Sequence, residues 1–329
     1  MGVLRGDSVL LTGGTGFLGG HVARALHEAG HAVVNLVRPK SGTAPALPGA
    51  RCVEGDLEEP ASLKRALEGV AAVVHVAGLV SNAARDRRRL FEVNVVGARN
   101  LLEAAASAGV RRVVYTSSTS AVGALREDCP DLALREDAEF DLRDLAVPYV
   151  QAKRAAHEAA LQAREAGLPV VALSPTFALG PGDRRLTSSE LVDAFVRRRL
   201  PGILAGGINA VDVRDLAPAY VAALEHPDPA PHYILAGPEN LTSLEFFRRL
   251  ERCSGIAAPR WVIPRWAALA AGACVERLAP GASFTSATVR MGSLYWYFDG
   301  SLARRELGFE ARSLDETLRS AVDWVQTRS

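Results

Sequence analysis

Two residues four apart, Tyr149 and Lys153 in the run Tyr149-Val-Gln-Ala-Lys153, carry the clearest catalytic potential in the chain. At helical spacing they share one face, which sets an ammonium beside a phenol. The cation stabilises the phenolate and draws the phenol down from about 10 towards the working range, where it exchanges a proton with a substrate oxygen. Taken alone, the pattern arises by chance in many chains and marks only a surface pair. It gains meaning from Thr12-Gly13-Gly14-Thr15-Gly16-Phe17-Leu18-Gly19, where Gly13, Gly16 and Gly19 recur three apart, directly after a strand pattern and at the opening of a helix. Such a turn bends tightly, lets the backbone approach a pyrophosphate and aims a helix N-terminus at its charge. Gly13, Thr15, Gly16, Phe17 and Leu18 are therefore the expected contacts of a bound dinucleotide. Together the two motifs specify proton exchange beside a nicotinamide.

A third group must orient the substrate oxygen. Hydroxyls cluster in Thr116-Ser117-Ser118-Thr119-Ser120, after the fifth expected strand, and ligands of doubly wound sheets bind beyond the carboxyl ends of the strands. At the end of the second strand, where a carboxylate would accept the adenosine ribose hydroxyls of NAD, the chain reads Leu36-Val37-Arg38-Pro39-Lys40-Ser41, without an acid. Arg38 is expected to stack on adenine and pair with a 2′-phosphate, with Lys40 or Ser41 adding contacts. That arrangement favours NADP over NAD.

Positioning these groups takes a sheet. Short β-branched runs alternate with longer Ala-rich helical stretches, which predicts an α/β fold: a Rossmann-type, doubly wound parallel sheet with helices on both faces. Strands are expected at 8–12, 32–37, 51–54, 72–76, 113–116 and 170–173, and helices at 16–29, 60–68, 87–108 and 149–166. Continuous apolar runs such as 71–76 fit strands buried on both faces. After Pro175 the alternation breaks down and Pro and Gly become dense, as in Gly180-Pro-Gly182, Pro201-Gly202 and Pro227 to Pro231. This predicts a cofactor domain over 1–175 and a smaller, interwoven substrate domain over 176–329. The latter is expected to hold helices at 188–199, 215–225, 243–254, 264–278 and 313–327, with strands at 211–213 and 233–235.

Composition narrows the function classes. A chain of 329 residues allows about two domains or one elaborated domain. Hydrophobic residues at 48% and charged residues at 23% exclude a disordered, collagenous or coiled-coil chain. A formal charge of +1 gives no global field for nucleic acid or an acidic membrane, and the arginine runs at 87–89 and 197–199 fit solvated helix faces. Cys52, Cys129, Cys253 and Cys274 lack any C-x-x-C pair and are expected to be reduced core fillers, in neither a disulfide framework nor a zinc site. The histidines show no metal-ligand spacing, and no metal is expected. The first residues lack a signal-peptide pattern, and the most lipid-like stretch, Trp266 to Val275, falls well short of the ~20 residues needed to span a bilayer. A cytoplasmic protein with no membrane span is expected. The stretch itself would either line the pocket or pack in the core of the smaller domain.

TGGTGFLG, Gly55-Asp56-Leu57, His75-Val-Ala-Gly78, Asn94-Val-Val-Gly97, Tyr115-Thr-Ser-Ser118, YVQAK, Ser174-Pro-Thr176, Gly180-Pro-Gly-Asp183, Tyr297-Phe-Asp299 and Glu306-Leu-Gly308 follow one another in this order. In these motifs, over nearly its whole length, the chain resembles an extended short-chain dehydrogenase/reductase of the NAD-dependent epimerase/dehydratase superfamily. Within it the resemblance is to the dihydroflavonol-4-reductase-like branch, which includes bacterial proteins called hopanoid-associated sugar epimerases. The resemblance implies Tyr149 as catalytic acid/base, Lys153 as its electrostatic partner and Ser118 as donor to the substrate oxygen, with Ser117 as the fallback and a cofactor neighbour. It places Asp56 and Leu57 at adenine, Ala77 and Gly78 at the adenosine ribose and pyrophosphate, and Pro175, Thr176 and Phe177 at the nicotinamide. Asn94 and His75 become structural neighbours of the site. Val80, Ser81 and Thr119 are expected towards the substrate. A homodimer through the helices at 87–108 and 149–166 is the implied assembly, with a monomer as the alternative.

One departure bears on substrate. Nucleotide-sugar members commonly carry an Asn three residues before the glycine of the turn marked here by Gly180, and this chain has Phe177. An aromatic ring supplies no amide and prefers an apolar neighbour. The expected activity is an NAD(P)-dependent reduction of a ketone or aldehyde on a small to medium, partly hydrophobic metabolite, with no nucleic acid partner. The alternatives are a sugar or nucleotide-sugar epimerase/dehydratase that retains its cofactor, and a non-catalytic dinucleotide sensor or scaffold, against which the intact Tyr149 and Lys153 argue.

Overall fold

A computed structural model describes residues 3–38, 47, 50–279, 282 and 284–328. Its strands are β1 (Ser8–Thr12), β2 (Ala32–Val37), β3 (Arg51–Glu54), β4 (Ala72–His75), β5 (Arg112–Thr116), β6 (Val170–Pro175), β7 (Phe177–Leu179), β8 (Ile203–Leu204), β9 (Gly207–Asp212), β10 (His232–Leu235), β11 (Asn240–Thr242) and β12 (Val262–Ile263). The helices are α1 (Phe17–Glu28), α2 (Pro60–Ala66), α3 (Arg87–Phe91), α4 (Gly97–Ala108), α5 (Pro148–Glu165), α6 (Glu190–Val196), α7 (Val213–Glu225), α8 (Ser243–Ser254), α9 (Arg265–Leu278), α10 (Ser286–Gly292), α11 (Ser301–Leu307) and α12 (Leu314–Gln326).

The central sheet runs β10-β6-β5-β4-β1-β2-β3, with every neighbouring pair parallel. The order reverses between β1 and β4, so a crevice opens beyond their carboxyl ends. One face of the sheet buries Val9, Leu11, Val74 and Val114 under α1, α7 and α11, with Val22, Leu26, Leu216, Tyr220 and Ala303. The other buries Leu10, Val34, Val73 and Val113 under α2, α4 and α5, with Leu63, Leu101, Ala152 and Ala156. Burial on both faces is why β1, β4 and β6 are apolar without alternation.

Residue 175 is not a break in space. β10 pairs with β6 and closes the first sheet, and α7 lies on α1. A separate core that includes Phe195, Phe246, Phe247, Leu318 and Val322 gathers β7, β8, β9, β11, α6, α8 and α12, with β12 paired to β8. Strands of two or three residues carry no readable periodicity, so β7, β8, β11 and β12 were not legible in the chain. α10 and α11, two turns each, were missed for the same reason.

The expected single helix over 87–108 is interrupted. Between α3 and α4 the backbone widens into a π turn at Glu92–Val96, which carries the buried Asn94. The thiols correct another expectation. Cys52, Cys129 and Cys274 are exposed and Cys253 is half-buried, so they do not fill the core, and all four are free. The arginine runs are solvated and paired: Arg88 binds Glu92, Arg89 binds Glu58 and Arg197 binds Asp193. No helix among the described residues is long and apolar enough to cross a membrane.

Candidate active site

The glycine turn folds as its spacing dictates. Gly13 has φ +77°, and a Cβ there would stand 2.6 Å from the backbone nitrogen of Ala77, so the loops after β1 and β4 touch at this glycine. A Cβ on Gly19 would overlap the carbonyl oxygen of Gly13. Gly16 caps α1 without any side-chain hydrogen bond, and the first turn of the helix holds no acid. Its leading amides therefore remain open to an anion. Thr15, Phe17 and Leu18 are half-buried around that opening. The turn at Gly180–Gly182 reaches over it from the second half of the chain, where the Pro181 carbonyl meets His21 Nε2 at 2.9 Å. A cradle that a Cβ would fill, beneath an uncapped helix end, fits the pyrophosphate of a dinucleotide. Gly19→Ala is accordingly expected to weaken dinucleotide binding at least about tenfold and to lower the melting temperature, because the added methyl must displace backbone. Cofactor titration and thermal melting of the variant check this.

The loop after β4 is held by Asn94, whose Oδ1 accepts from the Leu79 amide at 2.7 Å while its Nδ2 donates to the Leu79 carbonyl at 2.8 Å. Ala77 and Gly78 thus lie on a clamped loop facing the glycine turn. His75 and Thr12 bond at 2.7 Å, and Thr12 Oγ1 accepts from the Ala77 amide at 3.2 Å. Burial pushes His75 down to about 3, so it is a neutral brace. Asp56 and Leu57 follow β3, tied to α2 through Ser62 and to α4 through Asn100, which donates to the Leu57 carbonyl at 2.9 Å. Arg38 is exposed at the end of β2. Lys40 and Ser41 lie outside the described residues.

α5 begins with Pro148 at its first position, after Val147 in extended conformation, and this start fixes Tyr149 and Lys153 on one face. Lys153 Nζ donates to the Thr116 carbonyl at 3.2 Å, which ties the helix to the end of β5. The lysine is buried, and desolvation lowers it to about 8. Tyr149 is half-buried. Burial raises its phenol above the usual value, and a hydrogen bond from Ser118 opposes that rise. The expected fall of the phenol is therefore absent from the protein alone, since desolvation outweighs the stabilisation that Ser118 gives the phenolate.

The hydroxyls after β5 sort into different roles. Ser118 Oγ accepts from the Ser120 amide at 3.2 Å and from the Ser120 hydroxyl at 2.9 Å, so its own proton is left for Tyr149 or a substrate oxygen. Ser117 turns inward, its Oγ 2.9 Å from His157 Nδ1, and is not a donor to the pocket. Thr119 is buried, and its hydroxyl donates to the Pro175 carbonyl at 3.3 Å. Ser81 donates to Asp86 at 2.6 Å and caps its own turn, whereas Val80 is exposed. Pro175 and Thr176 are buried at the end of β6, with Thr176 bonded to the Leu235 carbonyl. Phe177 opens β7 and packs against the core of the smaller domain.

Several neighbours were not singled out in the chain. His157, one turn after Lys153, packs edge-on against His232 with ring centroids 4.6 Å apart, and His232 meets Ser174 Oγ at 2.8 Å. Burial holds His157 near 4 and His232 near 3, so both are neutral rings packed at the α5 side of the sheet. The spacing of four from Lys153 was the available signal for His157. Tyr220 on α7 donates to Thr116 Oγ1 at 2.9 Å. Ala287 and Met291 of α10, with Leu294 and Trp296, form the apolar cluster in which Tyr149 takes part. Nothing in the local pattern could bring residues so distant in the chain to the phenol.

Residues 9–237 match the NAD dependent epimerase/dehydratase family. The chain is 34% identical over 333 residues to a dihydroflavonol 4-reductase-named protein of Synechocystis sp., covering 97% of this chain and 95% of that one. It is 30% identical over 329 residues to the 2-alkyl-3-oxoalkanoate reductase of Stenotrophomonas maltophilia, covering 94% and 97%. The fold superposes on Thermus thermophilus UDP-glucose 4-epimerase, solved in complex with NAD, with a TM-score of 0.73 at 24% identity, over 98% of this chain and 100% of that one.

Proposed function

The chain belongs to the NAD dependent epimerase/dehydratase family, and from that premise we propose that it reduces a ketone or aldehyde on a partly apolar metabolite, using NADP in preference to NAD. The observation that carries the reading is the assembly of Ser118, Tyr149 and Lys153 at the carboxyl end of β5, in the same parallel sheet whose β1 leads into the glycine turn. The full-length relatives named above as reductases support reduction. The apolar cluster on which the Tyr149 ring packs, with Met291, Leu294 and Trp296 among its members, supports an apolar substrate.

The dinucleotide would be held by the amides after Gly13 and Gly16, by Ala77 and Gly78, by Asp56 and Leu57, and by Arg38. A reduced nicotinamide, when bound, supplies a hydride to the carbonyl carbon. Ser118 orients the carbonyl oxygen, its proton free because its lone pairs are occupied by Ser120. Tyr149, kept protonated by burial, donates its proton to that oxygen as negative charge grows there. The resulting phenolate is stabilised by the Lys153 ammonium, which the Thr116 carbonyl holds in place.

Stoichiometry tests the reading. A panel of ketones and aldehydes with NADPH should show one cofactor oxidised per alcohol formed. Turnover of a sugar nucleotide without net cofactor consumption would replace it with epimerisation. The cofactor preference has its own check: Arg38→Ala is expected to weaken NADPH binding about tenfold or more while leaving NADH unchanged, since only NADPH carries the phosphate the guanidinium would pair with. Equal affinities before and after the substitution would remove that role.

A further inference from the structure

The apolar stretch at 266–275 does not fill a core, and half of its residues are exposed. α9 buries only Ala268 and Gly272, the latter against the backbone of Thr285 and Ser286 at the start of α10. Its outward face, at helical spacing, is Trp266, Ala270, Ala273 and Arg277, all exposed. Trp266 is 76% exposed, and Trp261, on the approach to the same helix, is 77% exposed. Val262 and Leu278 are exposed as well. Water is a poor solvent for such a set, and a rigid mount holds it there: the Trp261 carbonyl accepts from the Ile203 amide at 2.8 Å, and β12 pairs with β8.

The two other tryptophans behave differently. Trp296 Nε1 donates to the Met291 carbonyl at 2.9 Å and Trp324 Nε1 to the Asp183 carbonyl at 3.3 Å. Among the described residues the indole nitrogens of Trp261 and Trp266 have no such partner. Charge completes the picture. From Arg260 to Leu278 the segment holds Arg260, Arg265 and Arg277 against the single acid Glu276, whose carboxylate is occupied by the Ser286 amide and hydroxyl. None of the three arginines pairs with an acid among the described residues. On a chain of formal charge +1, this is a local excess of positive charge around an apolar face.

We propose that the face formed by Trp261, Trp266 and the outer side of α9 docks on an anionic lipid bilayer. Indole rings seat at the boundary between headgroup and hydrocarbon with the nitrogen towards water, small alanines let the helix lie close, and arginines meet lipid phosphates. A second copy of the chain is a poorer occupant: a two-fold contact would bring this face to its own image, where the arginines would confront arginines with no free acid between them. The docked face lies near the proposed catalytic phenol, since α9 rests on α10 and α10 shares with Tyr149 one apolar cluster. Thr285, at the cap of α10, also bonds the Asn82 carbonyl at 3.3 Å in the loop after β4.

The test needs no substrate and does not depend on the catalytic reading. The full chain is sedimented at low salt with vesicles of phosphatidylcholine containing about one-quarter phosphatidylglycerol, and with vesicles of phosphatidylcholine alone. Expected are partition into the anionic vesicles only, a blue shift of tryptophan emission, and release by added salt. Trp261→Ser with Trp266→Ser should lower the partition at least about tenfold and abolish the emission shift. Arg260→Gln and Arg277→Gln should each lower it about fivefold. Unchanged melting temperature and far-UV circular dichroism certify that the variants are folded. Failure to bind the anionic vesicles overturns the proposal, as does equal binding of the tryptophan variant. A concentration-dependent dimer that the same tryptophan substitutions abolish would overturn it in favour of self-association.

Discussion

Tyr149→Phe is expected to lower kcat by about 10²- to 10⁴-fold while leaving NADPH affinity and thermal stability close to those of the parent. The ring keeps its contacts with the cluster around Val150, Ala287 and Leu294, so the loss isolates the hydroxyl. What disappears is the proton donor, together with the partner of the Ser118 hydroxyl. Burial raises the phenol above its ordinary value, so the donor form persists across the whole neutral range and no fall of the reduction rate towards higher pH arises from it within that range. Steady-state cofactor oxidation and a fluorescence titration of NADPH separate the two effects. Turnover within a few-fold of the parent would show that another group supplies the proton.

Lys153→Met is expected to cost about 10²-fold or more in kcat and at the same time to stabilise the protein. Desolvation lowers the lysine from 10.5 to about 8 in the folded chain. Below pH 8 the ammonium is charged in both folded and unfolded states, and the cost of burying it is fully present. Between about 8 and 10.5 the folded state has released the proton while the unfolded state still binds it, so stability rises with pH; above that range both are neutral and the cost is gone. The methionine variant should therefore be more stable by on the order of 2–4 kcal/mol below pH 8, with the difference closing as pH approaches 10.5. Denaturant melts at several pH values would show this. The same titration predicts that kcat/KM for reduction falls as pH rises through about 8, because the neutral amine no longer stabilises the phenolate. Lys153→Arg, whose guanidinium stays charged, should move that limb out of range. A limb that stays at the same pH in the arginine variant would assign it to another group.

The parts of this protein legible in the chain are those fixed over a few residues. Gly13 needs positive φ and Gly19 tolerates no side chain, so the glycine turn is written where it acts. Tyr149 and Lys153 share a face because helical geometry places residues four apart together. β1 and β2 match their expected bounds because their buried centres are largely apolar runs between turns, and β3, the exposed edge strand, matches as well. The hydroxyls after β5 were legible only as a group. Ser117, Ser118 and Thr119 are adjacent and chemically alike, and their directions follow from the extended backbone at Ser118, the tight turn after it, and the positions of His157 and Pro175.

Tertiary structure alone decided the rest, for one physical reason: burial belongs to surfaces brought together from distant segments. The return of β10 to close the first sheet, the joining of α10 to the apolar cluster on which Tyr149 packs, and the depressed Lys153 all depend on chain remote from the residue concerned. The apolar run at 266–275 shows the limit most clearly. Its composition fits a core, a pocket wall or an exposed face equally well, because hydrophobicity states how much a surface gains by leaving water and not which surface covers it. Packing of Gly272 on α10 turned Trp266 outward, and the same sequence thereby acquired a different role.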